Sequence, residues 1–449
     1  MKRNVIQSTA YSADPVSVGS RQPAGLRVYG VPLLVVLFFI GIMMPPSASI
    51  SLGELRLSAY RVLLILSFMP MLLMLLSGRH GKPNIVDLFV GAHCVWALLA
   101  LIKWGGPVQG IESGGIYIVE CGGAYLLGRV FIRSLDDFQA LAKVFVAAVC
   151  LLLLFTIPEA VTGVHILHDG FAAALGGPMA HHIDPRLGLE RTFGPFDHPI
   201  LYGVFSAAAL SCAFYVVAEG RLTNFGGMAQ VLGVLIATFL SASGGPYVVA
   251  LLQLFVAGWE KVLNVVVGRW RALFTIFGLT YVSIDLLSTR TPFHVFVTYL
   301  TFSTTSAYNR INIWIYGTAE VGRNPLFGIG LGDWIRAPWM SDSMDNFWLL
   351  ITVRYGLPAL FFLVAALLCA VVASGRRKAL PQSWRNARHA WAFTMFGIAV
   401  AAGTVHLWNA LFVLFMFLIG SGAWLMNTRP AAMRHRPVAA RAARRPTLF

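Results

Sequence analysis

Charged residues in this apolar sequence concentrate in a few segments, and the first of these is RTFGPFDHPILYG, from Arg191 to Gly203. The segment places Arg191 before an aromatic and proline-rich turn, and Asp197 and His198 directly before an apolar run. Proline and the residue before it have restricted backbones, so we expect this turn to hold the arginine in place. The alternative is an arginine whose charged end anchors the chain among lipid headgroups.

A second polar segment, SAYNRINIWIYGTAEVGRNPLFGIGLGDWIRAPW, contains Arg310, Trp314 four residues later, and Arg323. The apolar spacing in NRINIWIYG favours a helix that lies in a membrane interface. The glycines of GIGLG do not follow a buried strand of a βαβ unit, so a nucleotide-binding loop is poorly supported. We predict instead a tight turn in which glycine permits a positive φ or a close approach of helices.

The third segment is MDNFWLLITVRYGLP, where Asp345 and Asn346 open an apolar helix. Capping of the helix N-terminus is the ordinary role of such residues. Arg354 lies two to three turns further on, and a charge inside a span costs about 2.5–3.5 kcal/mol, so it usually faces a cavity or a partner. Glu120 is the other charge within an apolar run, and an ion pair between Glu120 and Arg354 is one structural interpretation.

Together these segments bring at least three arginines, Arg191, Arg310 and Arg354, to one membrane face, beside carboxylates and a histidine. The planar guanidinium group suits bidentate binding of phosphate oxygens. We therefore predict a site for an anionic lipid headgroup such as a pyrophosphate. A nearby carboxylate or histidine would accept the proton of an attacking hydroxyl, as transfer from a lipid diphosphate donor requires.

The elements that position these residues are membrane helices. Of the 449 residues, 57% are hydrophobic and 12% are charged, whereas soluble domains are about 25% charged. Many apolar runs reach the roughly 20 residues that cross a bilayer, and the alternating period of a membrane β-barrel is absent. The sequence predicts an all-α polytopic membrane protein.

We predict about twelve transmembrane helices with both termini in the cytoplasm, because roughly two thirds of the lysines and arginines then fall on the inner side. The first apolar run reads as a retained helix, not a cleaved signal peptide. The predicted parts are a cytoplasmic N-terminal tail (1–27), a polytopic membrane domain (28–428) and a basic cytoplasmic C-terminal tail (429–449). Two long periplasmic loops, about 158–198 and 288–345, are expected to contain short interfacial helices.

Composition also limits the partners. The net charge of +15 resides in short connections and the C-terminal tail, which is typical of membrane anchoring and argues against a nucleic-acid partner. The five cysteines lie in apolar runs without CxxC pairs, so neither a disulfide framework nor a zinc site is predicted. The histidines of the first loop lack a compact ligand spacing, which favours solvated histidines over a metal site.

Taken in order, these segments resemble the O-antigen ligase and Wzy-type polysaccharide polymerase superfamily. In that superfamily an Arg-then-Gly-Phe segment leads into a span, as RTFGPFDHPILYG does. A Ser-x-Ser-Arg-Gly turn follows, where this chain has SASGGPY with Gly244 at the arginine position. An Arg-x-x-x-Trp helix and a Gly-rich turn are matched by NRINIW and NPLFGIGLG, and DNFWLLITVRYGLP matches the closing His-Asn helix start in part. The resemblance covers about residues 191–360.

The resemblance implies a metal-independent, inverting glycosyl transfer without a cofactor, at the periplasmic face of a bacterial inner membrane. The donor would be a glycan on polyprenyl diphosphate, with Arg191 and Arg310 gripping the diphosphate. Asp345 stands where ligases have a histidine that assists the acceptor hydroxyl. The Asp-Asn start is more similar to exopolysaccharide polymerases, so Asp345 is the expected base, with His198 or Asp197 as rival or partner.

The expected catalytic residues are Asp345, Arg191, Arg310 and His198. The expected substrate-binding residues are Arg191, Arg310, Arg323, Arg354, Asp197, Asn346 and Trp314. The expected partners are a lipid-linked oligosaccharide donor and acceptor, membrane lipid, a flippase and chain-length or export proteins. The alternatives are a ligase that transfers finished glycan to a lipid A core or protein, and a twelve-helix transporter or lipid-linked sugar flippase.

Overall fold

The fold is known from a computed structural model, which describes residues 26–52, 55–78, 81–176, 179–181, 183–186, 188–300, 304–376 and 380–427. Helices make up most of these residues, and two short antiparallel hairpins precede the second helix. The two predicted tails, 1–27 and 429–449, lie almost wholly outside the described residues, so their cytoplasmic location stays a prediction.

The hairpins pair β1 with β2 and β3 with β4. Their strands are β1 (Arg27–Val28), β2 (Val31–Pro32), β3 (Ile50–Leu52) and β4 (Leu55–Leu57). The helices of the first half are α1 (Leu33–Ile42), α2 (Ala59–Leu76), α3 (Ile85–Ile118), α4 (Ala124–Phe131), α5 (Leu135–Thr162), α6 (Ile166–Leu175), α7 (Pro199–Ala208), α8 (Leu210–Cys212) and α9 (Phe225–Leu240). The helices of the second half are α10 (Gly244–Val262), α11 (Arg269–Leu287), α12 (Pro292–Leu300), α13 (Thr304–Arg323), α14 (Phe347–Tyr355), α15 (Leu357–Gly375), α16 (Gln382–Ala401), α17 (Ala410–Ser421) and α18 (Trp424–Asn427).

Six helical stretches of the described chain are long and apolar enough to cross a membrane. They are Ala59–Leu76, Ile85–Phe131, Leu135–Thr162, Pro199–Val217, Arg269–Leu287 and Leu357–Gly375. Several shorter apolar helices accompany them. The mostly helical structure with six candidate spans agrees with the predicted all-α membrane class, whereas the number of twelve spans stays a prediction.

The stretch Ile85–Phe131 folds back on itself. Its helix is interrupted at Gly106, where φ is 73°, and Pro107 begins the returning arm. A Cβ atom added at Gly110 would lie 2.4 Å from the Cα atom of Ile102, so the two arms pack backbone to backbone. Glycine is needed here because a side chain would separate the arms. The two apolar runs that the sequence shows in this region are therefore the two arms of one helical hairpin.

The long connections contain helices, as predicted, but the first begins later than predicted. Pro158 lies within α5, which continues to Thr162 and ends at Gly163 with a φ of 70°. A proline inside a helix removes one backbone donor, which is tolerated in membrane helices where neighbouring groups compensate. The first connection then contains α6, and the second contains α12 and α13.

The Gly-rich segment before α14 forms the predicted tight turn. Gly328 and Gly330 have φ values of 59° and 64°. A Cβ atom at Gly328 would lie 2.3 Å from the Val353 carbonyl oxygen, and the Gly330 N–H donates to the Arg354 oxygen at 2.9 Å. The turn thus packs its backbone directly against the end of α14, which only glycine permits.

The centre of the bundle is α17, whose twelve residues are all buried. It packs against α4 through two glycines: a Cβ at Gly128 would lie 2.2 Å from the Phe417 oxygen, and one at Gly420 would lie 2.1 Å from the Tyr125 oxygen. Small residues that let helix backbones approach are typical of membrane helix packing. The site described below rests on the ends of helices that surround α17.

Gly128→Ala tests this close contact. We expect the substitution to lower the free energy of unfolding by about 1–3 kcal/mol, because the added methyl group overpacks the α4–α17 interface. Gly91→Ala is the matched control, since no atom lies within 4 Å of its Cβ position and alanine favours helix there. Thermal unfolding of the purified proteins in detergent compares the two. An equal effect of both substitutions would contradict the assignment.

Candidate functional site

The candidate site lies at one end of the bundle, where three helices end and four begin. The helices α5, α9 and α16 end there, and α7, α10, α14 and α17 begin there. The Thr192 N–H donates to the Leu240 oxygen at 3.2 Å, which ties the loop before α7 to the end of α9. The Phe347 N–H donates to the Ala402 oxygen at 2.8 Å, which ties α14 to the end of α16. Residues far apart in sequence therefore share one surface.

A buried carboxylate near the end of α5 holds the first segment. Glu159 is 1% exposed and accepts hydrogen bonds from the N–H groups of Phe193 at 2.9 Å and Gly194 at 3.2 Å. His165 Nδ1 donates to the same carboxylate at 2.8 Å. A buried carboxylate is stable only when its oxygens are satisfied in this way. Glu159, which the sequence did not single out, thereby fixes the turn that follows Arg191.

Arg191 is 7% exposed and its Nη2 donates to the Ser243 hydroxyl at 2.8 Å. Ser243 in turn donates to the Ser241 oxygen at 2.8 Å, so the predicted RTFG and SASG motifs meet. The Nε atom of Arg191 is buried without a hydrogen-bond partner in the described part of the chain. Burial, with the charge of Arg186 next, lowers the pKa of Arg191 to about 10. The side chain stays charged at neutral pH and retains a donor for a ligand.

Arg310 joins the same group from α13. Its Nε donates to the Thr404 oxygen at 3.0 Å. Burial lowers the pKa of Arg310, the Asp345 carboxylate opposes that shift, and the positive charge of Arg186 adds to it. Arg310 and Asp345 are therefore close enough for their charges to interact.

Arg186 is a member that the sequence analysis missed. It is exposed, and its backbone forms a tight bridge with Leu189 through two hydrogen bonds of 3.0 Å. Its charge acts on Arg191, on Arg310 and on Tyr247 of α10. The signal in the sequence was a second arginine five residues before Arg191. We call Arg186, Arg191 and Arg310 the arginine cluster.

Asp345 and Asn346 have different roles. The Asn346 side chain caps α14 by accepting the Leu349 N–H at 3.0 Å, so the expected substrate contact is an ordinary helix cap. Asp345 is half-buried and accepts a hydrogen bond from the Ser343 hydroxyl at 3.0 Å. Asp345 also acts on Arg310, and Asp184 acts on Arg191, so carboxylates accompany the arginine cluster.

His198 caps α7: its Nδ1 accepts the Ile200 N–H at 3.1 Å. The proton of the neutral ring is therefore on Nε2, which is a donor. Burial and the charges of Arg191, His181 and Arg186 lower the pKa of His198 to about 4. The ring is neutral at pH 7 and its accepting nitrogen is occupied, so this geometry favours a hydrogen-bond donor over a base.

Asp197 belongs to a different group from its neighbour His198. Its Oδ2 accepts a hydrogen bond from Asn409 Nδ2 at 3.0 Å, and its charge acts on Arg61 and His168. The expected role of Asp197 in substrate binding, and as rival or partner of Asp345, stays a prediction.

Arg323 and Trp314 also have partners elsewhere. Arg323 Nη2 forms an ion pair with Glu320 at 2.7 Å, and Glu320 also accepts the Ile335 N–H at 3.2 Å. Trp314 stacks on Phe293 with ring centroids 4.4 Å apart. Both side chains hold α13 to the chain on either side of it, and their expected role in substrate binding stays a prediction.

Arg354 lies at the end of α14. The pKa of His406 is lowered to about 4, first by burial and then by the positive charge of Arg354. The suggested ion pair between Glu120 and Arg354 is replaced by another: Glu120 accepts from Arg61 Nε at 2.7 Å and from the Tyr60 hydroxyl at 3.1 Å. The reason is tertiary, because the return at Gly106 places the Glu120 arm against α2.

The connection between α16 and α17 is a third feature that the sequence analysis missed. It supplies the Thr404 oxygen to Arg310, and Trp408 lies between two histidine rings, with centroids 5.2 Å from His406 and 6.0 Å from His198. The sequence marked this connection only as a break between two apolar runs, because it contains no charged residue besides histidine.

The first-loop histidines surround Phe193 instead of a shared centre. The ring centroids of His165, His168 and His181 lie 4.1, 5.0 and 5.8 Å from that of Phe193. His168 Nε2 donates to the Phe196 oxygen at 2.8 Å. Within the described residues, no group of three or more His, Cys, Asp or Glu side chains is arranged to hold a metal. His182 lies outside that part of the chain.

Glu159→Ala tests the anchor of the site. Removing the carboxylate leaves two buried N–H donors unsatisfied, at about 1–3 kcal/mol each. We expect a lower melting temperature and faster proteolysis around Phe193. Glu112→Ala, which removes an exposed carboxylate, is the control and should leave both unchanged. Melting temperatures and limited proteolysis in detergent measure the effect, and a stable, protease-resistant Glu159→Ala protein would count against the anchor.

His198→Asn tests the pKa of the capping histidine. The folded state lowers that pKa from 6.5 to about 4, so between these values the unfolded chain binds more protons. The contribution of His198 to the free energy of unfolding is therefore fully present above pH 6.5 and is lost as the pH falls towards 4. Asparagine also caps helices but does not titrate. We expect the melting temperature of the variant to fall less between pH 7.5 and 4.5 than that of the wild type. Parallel curves would show that His198 is not shifted.

The chain matches no protein-family model and no curated protein at a significant level. Neither a family nor a named relative therefore assigns an activity, and the chemistry of the site itself has to indicate one.

Proposed function

We propose that the protein is a membrane glycosyltransferase that polymerises oligosaccharide repeat units carried on polyprenyl diphosphate. The product is an exopolysaccharide or O-antigen chain, formed at the periplasmic face of a bacterial inner membrane by a protein of about twelve spans with cytoplasmic termini. One observation carries the proposal: Arg191 bonds to Ser243 and Arg310 to Thr404 in adjoining segments at one end of the bundle, where Arg186 acts on both arginines and Asp345 acts on Arg310.

The arginine cluster suits a diphosphate because the positive charge of Arg186 repels those of Arg191 and Arg310. Two of the three guanidinium groups are largely buried, and burial and Arg186 lower the pKa of both Arg191 and Arg310. An anion with several oxygens relieves this repulsion and accepts several hydrogen bonds at once. The N-termini of α10 and α14 lie at the same end of the bundle and add positive potential.

The cluster also suits the transition state of glycosyl transfer. An acceptor hydroxyl oxygen attacks the anomeric carbon, and the bond from that carbon to the diphosphate oxygen breaks, with its electron pair leaving on the diphosphate. The negative charge therefore grows beside Arg191 and Arg310, and fixed donors at such a position lower the barrier. Attack on the face opposite the leaving group inverts the configuration.

Asp345 is the proposed acceptor of the hydroxyl proton. It is a half-buried carboxylate next to Arg310, and an ionised carboxylate accepts a proton directly. His198 is the weaker choice because its Nδ1 already caps α7. Its Nε2–H is suited instead to donate to a phosphate or sugar oxygen. A polymerase of this kind also requires a flippase that supplies its substrate and proteins that set chain length or export the product.

Arg191→Ala and Arg310→Ala test the proposal. Loss of one fixed donor to the leaving group is expected to lower the rate by about 100-fold or more, so long polymer should disappear while the protein remains in the membrane. The measurement is gel sizing of polymer from a deletion strain complemented with each variant. Arg221→Ala, which removes an exposed arginine that pairs with Glu219 on the surface, should leave the size distribution unchanged. Wild-type polymer length in both cluster variants would reject the proposal.

The same deletion strain separates the alternatives. A polymerase leaves single lipid-linked repeat units, whereas a ligase leaves finished polymer on the lipid. A flippase would move lipid-linked sugar across reconstituted vesicles and form no glycosidic bond. The replacement of the ligase histidine by Asp345 supports the polymerase.

A further inference from the structure

A second polar site lies on the other side of the segment that precedes α7. It is a cavity of about 160 Å³ between the start of α2, the α1–α2 connection, the Pro195–Asp197 segment and the start of α17. Its polar lining includes Tyr60, Arg61, Asp197 and Asn409. The volume holds roughly ten atoms of the size of a water molecule, which is close to the ring and hydroxyl atoms of one hexose.

The lining offers a carboxylate, an amide and a guanidinium group beside apolar residues such as Ile42 and Met44. Asp197 accepts from Asn409 at 3.0 Å with one oxygen, so its second oxygen remains an acceptor. Arg61 and Asp197 also attract each other. These three planar groups present hydrogen-bond acceptors and donors side by side. They therefore match the adjacent hydroxyl groups of a sugar, each of which both donates and accepts a hydrogen bond. Apolar walls with a few fixed polar groups are typical of small-molecule sites.

The charge of this cavity differs from that of the arginine cluster. Arg61 is neutralised by its ion pair with Glu120, whose atoms are 2.7 Å apart, and Asp197 adds a further negative charge. A diphosphate would therefore be repelled, whereas a neutral hydroxyl-bearing ligand is accepted. Asp197 and His198 are neighbours in the chain, so the neutral and the anionic parts of one ligand would be bound by one short segment.

Backbone strain marks the same cavity. Asn409 has φ 49° and ψ −124°, and although it begins α17 its side chain does not cap the helix. It donates to Asp197 instead. A residue other than glycine in such a conformation costs of order 1–3 kcal/mol and is found mainly at functional sites. The Asn409 amide is thus held in place against its local preference.

A break in helix geometry lies behind the cavity. Glu120 is in the π-helical segment Val119–Gly123, and its carboxylate holds both Tyr60 and Arg61. Such π-helical turns are frequent at functional sites. In this segment the Glu120 carboxylate, which would be costly if unpaired in a membrane, faces Tyr60 and Arg61 in the cavity wall.

We propose that this cavity binds a neutral sugar residue of the glycan through its hydroxyl groups, with Asp197 and Asn409 as the direct contacts. Arg61 and Glu120 position these groups and exclude phosphate. The inference rests on the proposed function for the identity of the ligand. It assigns the glycan and the diphosphate to two separate places on either side of the Pro195–His198 segment.

Direct binding to the purified full-length protein in detergent tests this assignment with two probes. The first is the repeat-unit oligosaccharide freed from its lipid diphosphate by mild acid, and the second is inorganic pyrophosphate. We expect Asp197→Asn and Asn409→Gly each to weaken oligosaccharide binding at least about 10-fold. Each substitution removes one direct hydrogen bond between the sugar and a charged or fixed group. Pyrophosphate binding should stay within twofold of the wild type.

Asn409→Gly also separates binding from folding. Glycine adopts a positive φ without strain, so its melting temperature should equal or exceed that of the wild type while sugar binding falls. Asp136→Asn makes the same chemical change as Asp197→Asn at an exposed position at the start of α5 and should alter neither affinity.

The outcomes distinguish the two proposals. Arg191→Ala should weaken pyrophosphate binding and spare oligosaccharide binding, and its failure to do so argues against the proposed function alone. Unchanged oligosaccharide affinity in both cavity variants, or no oligosaccharide binding by the wild type, overturns the sugar site alone.

Discussion

The Glu159 carboxylate holds the segment on which the candidate site is built. It is buried near the end of α5 and accepts hydrogen bonds from the backbone N–H groups of Phe193 and Gly194. A buried charge with fixed donors is costly to rearrange, so the turn has one conformation. Arg191 reaches Ser243 from one end of this turn, and His198 begins α7 at the other. The geometry of the site thus follows from one buried anion.

Electrostatics divides the site into two parts. The arginine cluster is an excess of positive charge in partly desolvated surroundings, where Coulomb interactions are stronger than in water. The cavity beside it contains Arg61 paired with Glu120, and Asp197 in excess. A lipid-linked glycan has the same division, since its diphosphate is anionic and its sugars are neutral. The match between these two distributions joins the proposed reaction to the proposed sugar site.

Much of the local structure is determined by the sequence alone. The apolar runs predict membrane helices because the bilayer requires every backbone group to be satisfied within a helix. Asparagine before an apolar run predicts the cap at Asn346, and the glycines of GIGLG predict a turn in close backbone contact. These features depend on neighbours within a few residues. The order of motifs also pointed to Arg191, Arg310 and Asp345 as one group. In the structure the charge of Arg186 acts on both arginines, and that of Asp345 acts on Arg310.

Only the tertiary structure decided which charges meet. Helix periodicity gives the face of a helix but neither its rotation in the bundle nor its neighbours, which depend on packing between distant segments. The return at Gly106 therefore paired Glu120 with Arg61, not with Arg354. For the same reason Arg186 lies near Arg191 and Arg310, whereas Asp197 contacts Asn409. The position of each side chain depends on how its loop packs against helices that are remote in sequence.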